Sequence, residues 1–272
     1  MRPPFAICAV ATLLAGTLSA APANAAETLR AGGTGAATEL LRQVGAEFSA
    51  VSGVKIDVIP SLGSSGALRA LVDGKLDIAV SARPLKADES AAGLRQVAVF
   101  QTAFVLATSH RNPNGLRAVD VPEIFTAEKP TWADGAPIRI ILRPRSEADT
   151  VLFGTLFDGM DVAIETARRR AEVPTAATDQ DNADLAERIP GSLTGTTVVQ
   201  LVTEHRRLQI VPIDGVEPTL ANLESGAYRF VKKLYFIAGA KSSPEISRFM
   251  EFLRSPPGLK ALRETAVLPE IR

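Results

Sequence analysis

Residues 28–80 read TLRAGGTGAATELLRQVGAEFSAVSGVKIDVIPSLGSSGALRALVDGKLDIAV. Residues 28–31 have the makings of a short strand, and Gly32-Gly33-Thr34-Gly35 of a turn. Ala37, Leu40, Leu41, Val44 and Phe48 then recur at the spacing of one buried helix face, and Gly53 ends that unit. Val54, Ile56 and Val58 alternate as a strand. Residues 60–66 read as a loop, 67–72 as a helix and 76–80 as a buried strand. Strand–helix–strand–helix–strand predicts a parallel sheet with right-handed crossovers, hence an α/β fold.

The scheme recurs downstream. Residues 138–142 read as a strand, 143–149 as a polar loop, and 150–156 and 162–171 as helices. Residues 196–205 read as a helix and 208–212 as a strand. Ser243-Pro244 and Ser255-Pro256 each open a helix, with serine as N-cap and proline in the first turn. The first of these carries Ile246, Phe249, Met250 and Leu253 on its buried face. The apolar stretch 97–108 leaves the first α/β unit, and 228–238 returns to it. The expectation is two lobes, the first discontinuous: residues 26–105 and 233–272 in lobe one, 106–232 in lobe two.

The N-terminus reads as an export signal. Arg2 supplies a short positive start, residues 5–18 are almost unbroken apolar, and Ala23-Asn24-Ala25 is a small-x-small cleavage pattern. The run is shorter than the roughly 20 residues that span a bilayer. Residues 1–25 are therefore expected to be a signal peptide cleaved after Ala25, delivering the chain to the periplasm. Cys8, the single cysteine, lies inside that segment, which leaves no disulfide, thiol nucleophile or cysteine metal site downstream. With 272 residues, 46% of them hydrophobic, the chain is long and apolar enough to fold on its core alone. Thirty basic residues balance thirty acidic ones. There is no basic field for nucleic acid and no polybasic membrane patch.

Three loops share one design, in which a strand ends, small polar residues follow and a helix begins: Gly32-Gly33-Thr34-Gly35, Gly63-Ser64-Ser65-Gly66, and residues 143–150. Helix starts expose unpaired N–H groups that favour anions, glycine admits close approach, and hydroxyls and an arginine add donors. Each loop alone is more simply a helix cap. The glycines match neither a dinucleotide fingerprint nor a P-loop, and Gly63-Ser64-Ser65-Gly66 is not a hydrolase nucleophile elbow. No base–nucleophile pair is visible, so an enzyme is not expected. His110 and His205 stand alone, without metal-ligand spacing, and neither a metal nor a cofactor is expected. Aromatic residues are few, 5% of the chain, which disfavours a ring-stacking sugar cleft.

The order and spacing of these segments resemble the phosphate-binding subunits of bacterial ABC transporters. Gly63-Ser64-Ser65-Gly66 followed by Asp77-Ile78-Ala79-Val80-Ser81-Ala82-Arg83-Pro84 is similar to that family's first lobe. Ile213-Asp214-Gly215-Val216-Glu217-Pro218-Thr219, Ser225-Gly226-Ala227-Tyr228 and Leu234-Tyr235-Phe236-Ile237 are similar to its late segments. The resemblance covers nearly the whole chain after the signal. It implies a two-lobed periplasmic binding protein of type II, a Venus flytrap. Such a protein closes as a monomer on a small anionic solute and delivers it to an ABC permease in the inner membrane.

By the same resemblance, the donors of lobe one would fall on Thr34, Gly35 and Ala36 and on the Ser64 hydroxyl, and the arginine of lobe two on Arg143; Ser65 from lobe one and Ser146, Asp149 and Thr150 from lobe two are further candidates for the ligand. Two departures stand out. The family often places an aspartate after the third strand to accept the proton of hydrogen phosphate, and that position is Ala82 here. The Gly-Ser-Gly-Thr cradle is replaced by Ser146-Glu147-Ala148-Asp149-Thr150, whose carboxylates would repel a dianion if they faced it. Asp149 could equally cap the helix that follows. A zwitterion is the alternative ligand, with Arg143 on its carboxylate and Asp149 or Asp179 on its ammonium. A sensor or scaffold that kept the fold and lost transport is the alternative from another class. Residues 178–182 read either as a cap and loop or as a contact from lobe two, and Arg168-Arg169-Arg170 as a solvated helix end.

Overall fold

The computed structural model describes residues 27–240 and 243–270. The expected signal segment and Cys8 lie outside the described residues. The chain opens with β1 (Thr28–Gly33), a single 3₁₀ turn (Gly35–Ala37), α1 (Thr38–Ser52), β2 (Lys55–Ile59), α2 (Gly63–Val72), β3 (Ile78–Ser81) and α3 (Ala87–Ala91). β4 (Arg95–Thr108) leads to α4 (Val121–Thr126), β5 (Arg139–Ile140), α5 (Ala148–Leu156), α6 (Met160–Arg168), α7 (Asp179–Arg188), β6 (Ser192–Thr197), α8 (Val198–Thr203), β7 (Gln209–Val211) and α9 (Leu220–Glu224). β8 (Val231–Ala238), α10 (Pro244–Arg254), α11 (Pro256–Glu264) and β9 (Leu268–Pro269) complete it.

The opening unit folds as its periodicity dictates. Leu40, Leu41, Val44 and Phe48 form the buried stripe of α1, and Gly53 stops the helix in the left-handed region at φ 73°, where a residue without Cβ is unstrained. β1 pairs in parallel with both β2 and β3. The sheet as a whole is mixed, in the order β2-β1-β3-β8-β4-β6-β5. The parallel pairing expected of the opening unit holds for its three strands, and β5 and β6 are parallel as well. β8, arriving late in the chain, inserts antiparallel between β3 and β4, so the first α/β unit is completed by residues from the C-terminal part of the chain.

β4 ties the two parts of the molecule together. Its first portion, Arg95 to Ala103, pairs with β8, and its last, Phe104 to Ala107, with β6. Phe100 packs on Phe236 at 5.1 Å in a core shared with α1, α10 and α11. Phe104, four residues on, packs on Phe153 at 5.4 Å in a separate core built from α4 to α7 and β6.

Two readings need correction. Gly63-Ser64-Ser65-Gly66 is the first turn of α2 and not a loop; Gly63 takes φ 63°, and the Ser64 hydroxyl accepts the Ala82 N–H at 2.9 Å, which fastens that turn to the end of β3. Residues 196–205 are not one helix, because 192–197 form β6 and only 198–203 are helical. Thr194 and Thr196 are buried in β6 and bond to Asn182 at 2.7 Å and Gln200 at 2.8 Å. Those partners let a polar segment run through a core.

Candidate functional site

The site lies where β1 and β3 end and β8 begins, against the start of α5 and α7. After β1 the chain turns tightly. The Thr34 N–H donates to Val80 O at 2.8 Å, and a Cβ on Gly33 would lie 2.0 Å from that same oxygen, so only glycine lets the two strands meet there. The turn leaves the Ala36 N–H free of the helix ladder. It donates to Asp179 Oδ2 at 3.1 Å, across a sequence separation of 143 residues. Gly35 makes room for this, since a Cβ would lie 2.4 Å from Asp179 Oδ2.

Asp179 is the first residue of α7. Thr178 caps that helix by accepting the Asp181 N–H at 3.0 Å, and Asp181 accepts from the Thr178 N–H in return. Asp179 is thereby released from capping and faces the turn after β1. Residues 178–182 thus cap α7 as the first reading has it, and Asp179 in addition meets the turn after β1. Arg143 reaches the same carboxylate at 3.5 Å and Glu147 Oε2 also at 3.5 Å. Its Nη1 donates to Ala176 O at 2.8 Å. Arg168 donates to the Arg143 carbonyl at 2.9 Å and pairs with Glu165, so it buttresses the site rather than forming a solvated end.

Two polar atoms here lack partners. Arg143 is 8% exposed, yet its Nε is buried without an acceptor, and Gln180 Oε1 is buried without a donor. Gln180 Nε2 donates to Gly35 O and Glu204 Oε1, which fixes the amide so that Oε1 remains the acceptor. Both residues line one cavity of about 70 Å³, with Gly35, Ser61, Leu62, Gly63, Glu147 and Asp179 among its other walls. One water needs about 10–15 Å³, so there is room for a small solute.

Beside this cavity, Lys232 on β8 is fully buried. Its ammonium pairs with Asp149 at 2.6 Å and donates to Thr34 Oγ1 at 3.4 Å. Asp149 therefore neither caps α5, which Glu147 precedes without a side-chain bond, nor stands free. Burial, with Asp149 and then Glu147 adding repulsion, pushes the Asp179 carboxyl above the ordinary carboxylate range, against the pull of Lys232 and Arg143.

Of the residues expected from sequence, Gly35 and Arg143 line the cavity, and Thr34 and Asp149 meet at Lys232. Thr150 shares with Asp149 and Arg143 an adjoining cavity of about 20 Å³. The others sit apart. Ser64 is engaged with Ala82. Ser65 faces the Arg83 guanidinium at 3.3 Å on an exposed face, and Arg83 itself pairs with Glu89 at 2.7 Å. Ser146 is exposed. The carboxylates of residues 146–150 do not point away as a dianion would require, because Glu147 lines the cavity. Lys232 was not singled out by sequence; Asp179 and Gln180 entered only through the polar run 178–182, and Asp179 as an alternative ammonium partner. Among the described residues no cluster of His, Cys, Asp and Glu could hold a metal ion.

The PBP superfamily domain model matches residues 18–257. Among curated proteins, none matches the chain. A Clostridium perfringens protein assigned to phosphate ABC transport as the substrate-binding component, and solved with bound phosphate, superposes with a TM-score of 0.71 at 18% identity, over 90% of this chain and 100% of that one. An ABC-type phosphate transport receptor from Vibrio cholerae gives 0.63 at 14%, over 90% and 100%. The periplasmic molybdate-binding protein of Azotobacter vinelandii gives 0.62 at 11%, over 89% and 100%. On this match, the chain belongs to the PBP superfamily, and its fold is that of the type II periplasmic binding proteins.

Proposed function

We propose that this protein is a periplasmic receptor that closes two lobes, residues 26–105 with 233–272 and residues 106–232, on a small oxyanion and hands it to an ABC permease. Export would follow cleavage after Ala25. Arg143 carries the reading. A guanidinium that is buried, faces a cavity between the two parts of the fold and keeps one donor unpartnered is matched to an acceptor arriving from outside, because an unmade bond of this kind costs about 1–3 kcal/mol. The phosphate and molybdate ligands of its structural neighbours are of that class. Thr34, Gly35 and Thr150 would complete the donor set, with Lys232 supplying a second positive charge. Calorimetry with phosphate, sulfate, molybdate and tungstate tests this. Heat from at least one is expected, and none from any would end the oxyanion reading.

A zwitterion is the second reading, and the orphan acceptor Gln180 Oε1 favours it. A solute with both an acceptor for Arg143 and a donor for Gln180 would satisfy both atoms. Asp149 is already paired with Lys232, which leaves Asp179 or Glu147 to receive an ammonium. A thermal-shift screen of amino acids beside phosphate separates the two.

A further inference from the structure

We propose that Asp179 is a tethered anion: its carboxylate occupies the seat that an incoming oxyanion would use, and it holds the two parts of the cleft together without any solute. This rests on the oxyanion reading above for the identity of the seat, but not for the latch itself.

The geometry has three parts. Asp179 Oδ2 takes the Ala36 N–H from the turn after β1, and Oδ1 takes the charge of Arg143 at 3.5 Å. One carboxylate thus spans a donor from each side of the cleft, as a bound oxyanion would. The fit is close, because Gly35 leaves no space for a Cβ against the same oxygen. The fit is also imperfect, because Arg143 Nε remains without an acceptor. A carboxylate has two oxygens to offer and cannot satisfy every donor at once. A tetrahedral oxyanion has more, so it can displace the tether by completing the set that the tether leaves open.

The latch is charge-dependent. The groups facing Asp179 are Arg143 and Glu147 before α5, Asp149 on α5 and Lys232 on β8, with Gln180 and Glu204 at the Gly35 side. Burial already disfavours its ionised form. Protonation would weaken its hold on Arg143 and the Ala36 N–H, while Arg143 and Lys232 stay charged. Affinity for sulfate, which stays doubly charged in this range, should therefore rise as pH falls through the Asp179 titration.

The experiment compares the wild-type protein with Asp179→Ala, Asp179→Asn and Gly35→Ala, using calorimetry with phosphate, sulfate and molybdate, and small-angle X-ray scattering without added anion. Gly35→Ala leaves Asp179 intact but forces its carboxylate out of the seat, so it controls for a folding defect in the aspartate variants. The expected result is a larger radius of gyration for Asp179→Ala and Gly35→Ala without anion, and anion binding by Asp179→Ala tighter by roughly tenfold or more, since a like charge near the ligand is removed. Unchanged scattering in both variants, or anion binding that weakens when Asp179 is removed, would overturn the tether. If no protein binds any of the anions and Asp179→Ala still opens the cleft, the tether stands and the oxyanion reading fails.

Discussion

Lys232 and Asp149 form a salt bridge of 2.6 Å in which the lysine has no exposure to solvent and the carboxylate very little. The two residues come from the returning strand β8 and from α5, so their pairing ties the strand that completes the first α/β unit to the start of α5. Removing one member of a buried pair strands the other charge and costs about 3–5 kcal/mol, whereas replacing both with apolar groups is often neutral. Lys232→Met should lower the urea midpoint strongly, and Lys232→Met with Asp149→Leu should recover most of it. A double variant no more stable than the single one would mean that Lys232 acts through Thr34 instead.

Gly33 stands where β1 and β3 meet, and a Cβ there would lie 2.0 Å from Val80 O. The obstacle is backbone, which cannot rotate aside as a side chain can. Gly33→Ala should destabilise the protein by about 1–3 kcal/mol through overpacking. It should also shift the Thr34–Ala36 turn and weaken solute binding. Thermal unfolding and calorimetry of the same variant check both parts.

The residues that built the opening unit were legible because apolar spacing and glycine punctuation agree there: Leu40, Leu41, Val44 and Phe48 on one face, then Gly53 in the left-handed region. β6 was not, because Ser192, Thr194, Thr196 and Thr197 are buried by virtue of partners such as Asn182 and Gln200 that no local pattern announces. The first turn of α2 was missed since glycine and serine are weak helix formers, and what holds it is a bond from Ala82. Arg143 and Gly35, expected from the family resemblance, both line the cavity. Lys232 carried a usable signal: it is in phase with Leu234 and Phe236 on a strand whose side chains alternate, and all three are buried. Asp179 stood out only within the polar run 178–182 and as an alternative ammonium partner, because its bond to Ala36 arises when α7 meets the turn after β1.

Arg83 and Glu89 make a second test of electrostatics, away from the cleft. Glu89 accepts from both terminal nitrogens of Arg83, at 2.7 and 2.8 Å, and from the Lys86 N–H at 2.8 Å. These bonds hold its carboxyl at about 2, below its usual 4.5. The native state therefore binds this proton less readily than the unfolded chain. The resulting stability is fully present above pH 4.5 and is lost as pH falls through 2. Glu89→Gln should remove about 1–2 kcal/mol at neutral pH after solvent screening, and less at the acid end. Chemical denaturation of both proteins across that range checks the sign; a difference that grows toward low pH would refute it.

Asp179 predicts the opposite slope. Its carboxyl lies above the ordinary range because burial and the neighbouring Asp149 and Glu147 disfavour charge, so the native state holds this proton more tightly than the unfolded chain does. That contribution is complete below the unfolded value and is lost as pH rises through the native one. Asp179→Asn, neutral throughout, should abolish this slope, and the two unfolding curves should diverge with rising pH. Parallel curves would mean that the attraction of Arg143 and Lys232 fully offsets the cost of burial, and a gap that closes with rising pH would mean that it exceeds it.

Arg143→Lys separates a structural from a binding role. Lysine keeps the positive charge but offers one compact ammonium in place of the planar fork, so it cannot reproduce the bond to Ala176 O at 2.8 Å and also present a donor at the Nε position. If that donor exists for the solute, the variant should lose roughly tenfold or more in oxyanion affinity. Its unfolding free energy should change little, because the lost bond to Ala176 is offset by removal of a buried donor that has no partner in the ligand-free protein. Calorimetry and denaturation on one preparation give both numbers. A large fall in stability with affinity unchanged would make Arg143 a structural brace between residue 176 and the start of α5, and would move the search for the solute to Lys232.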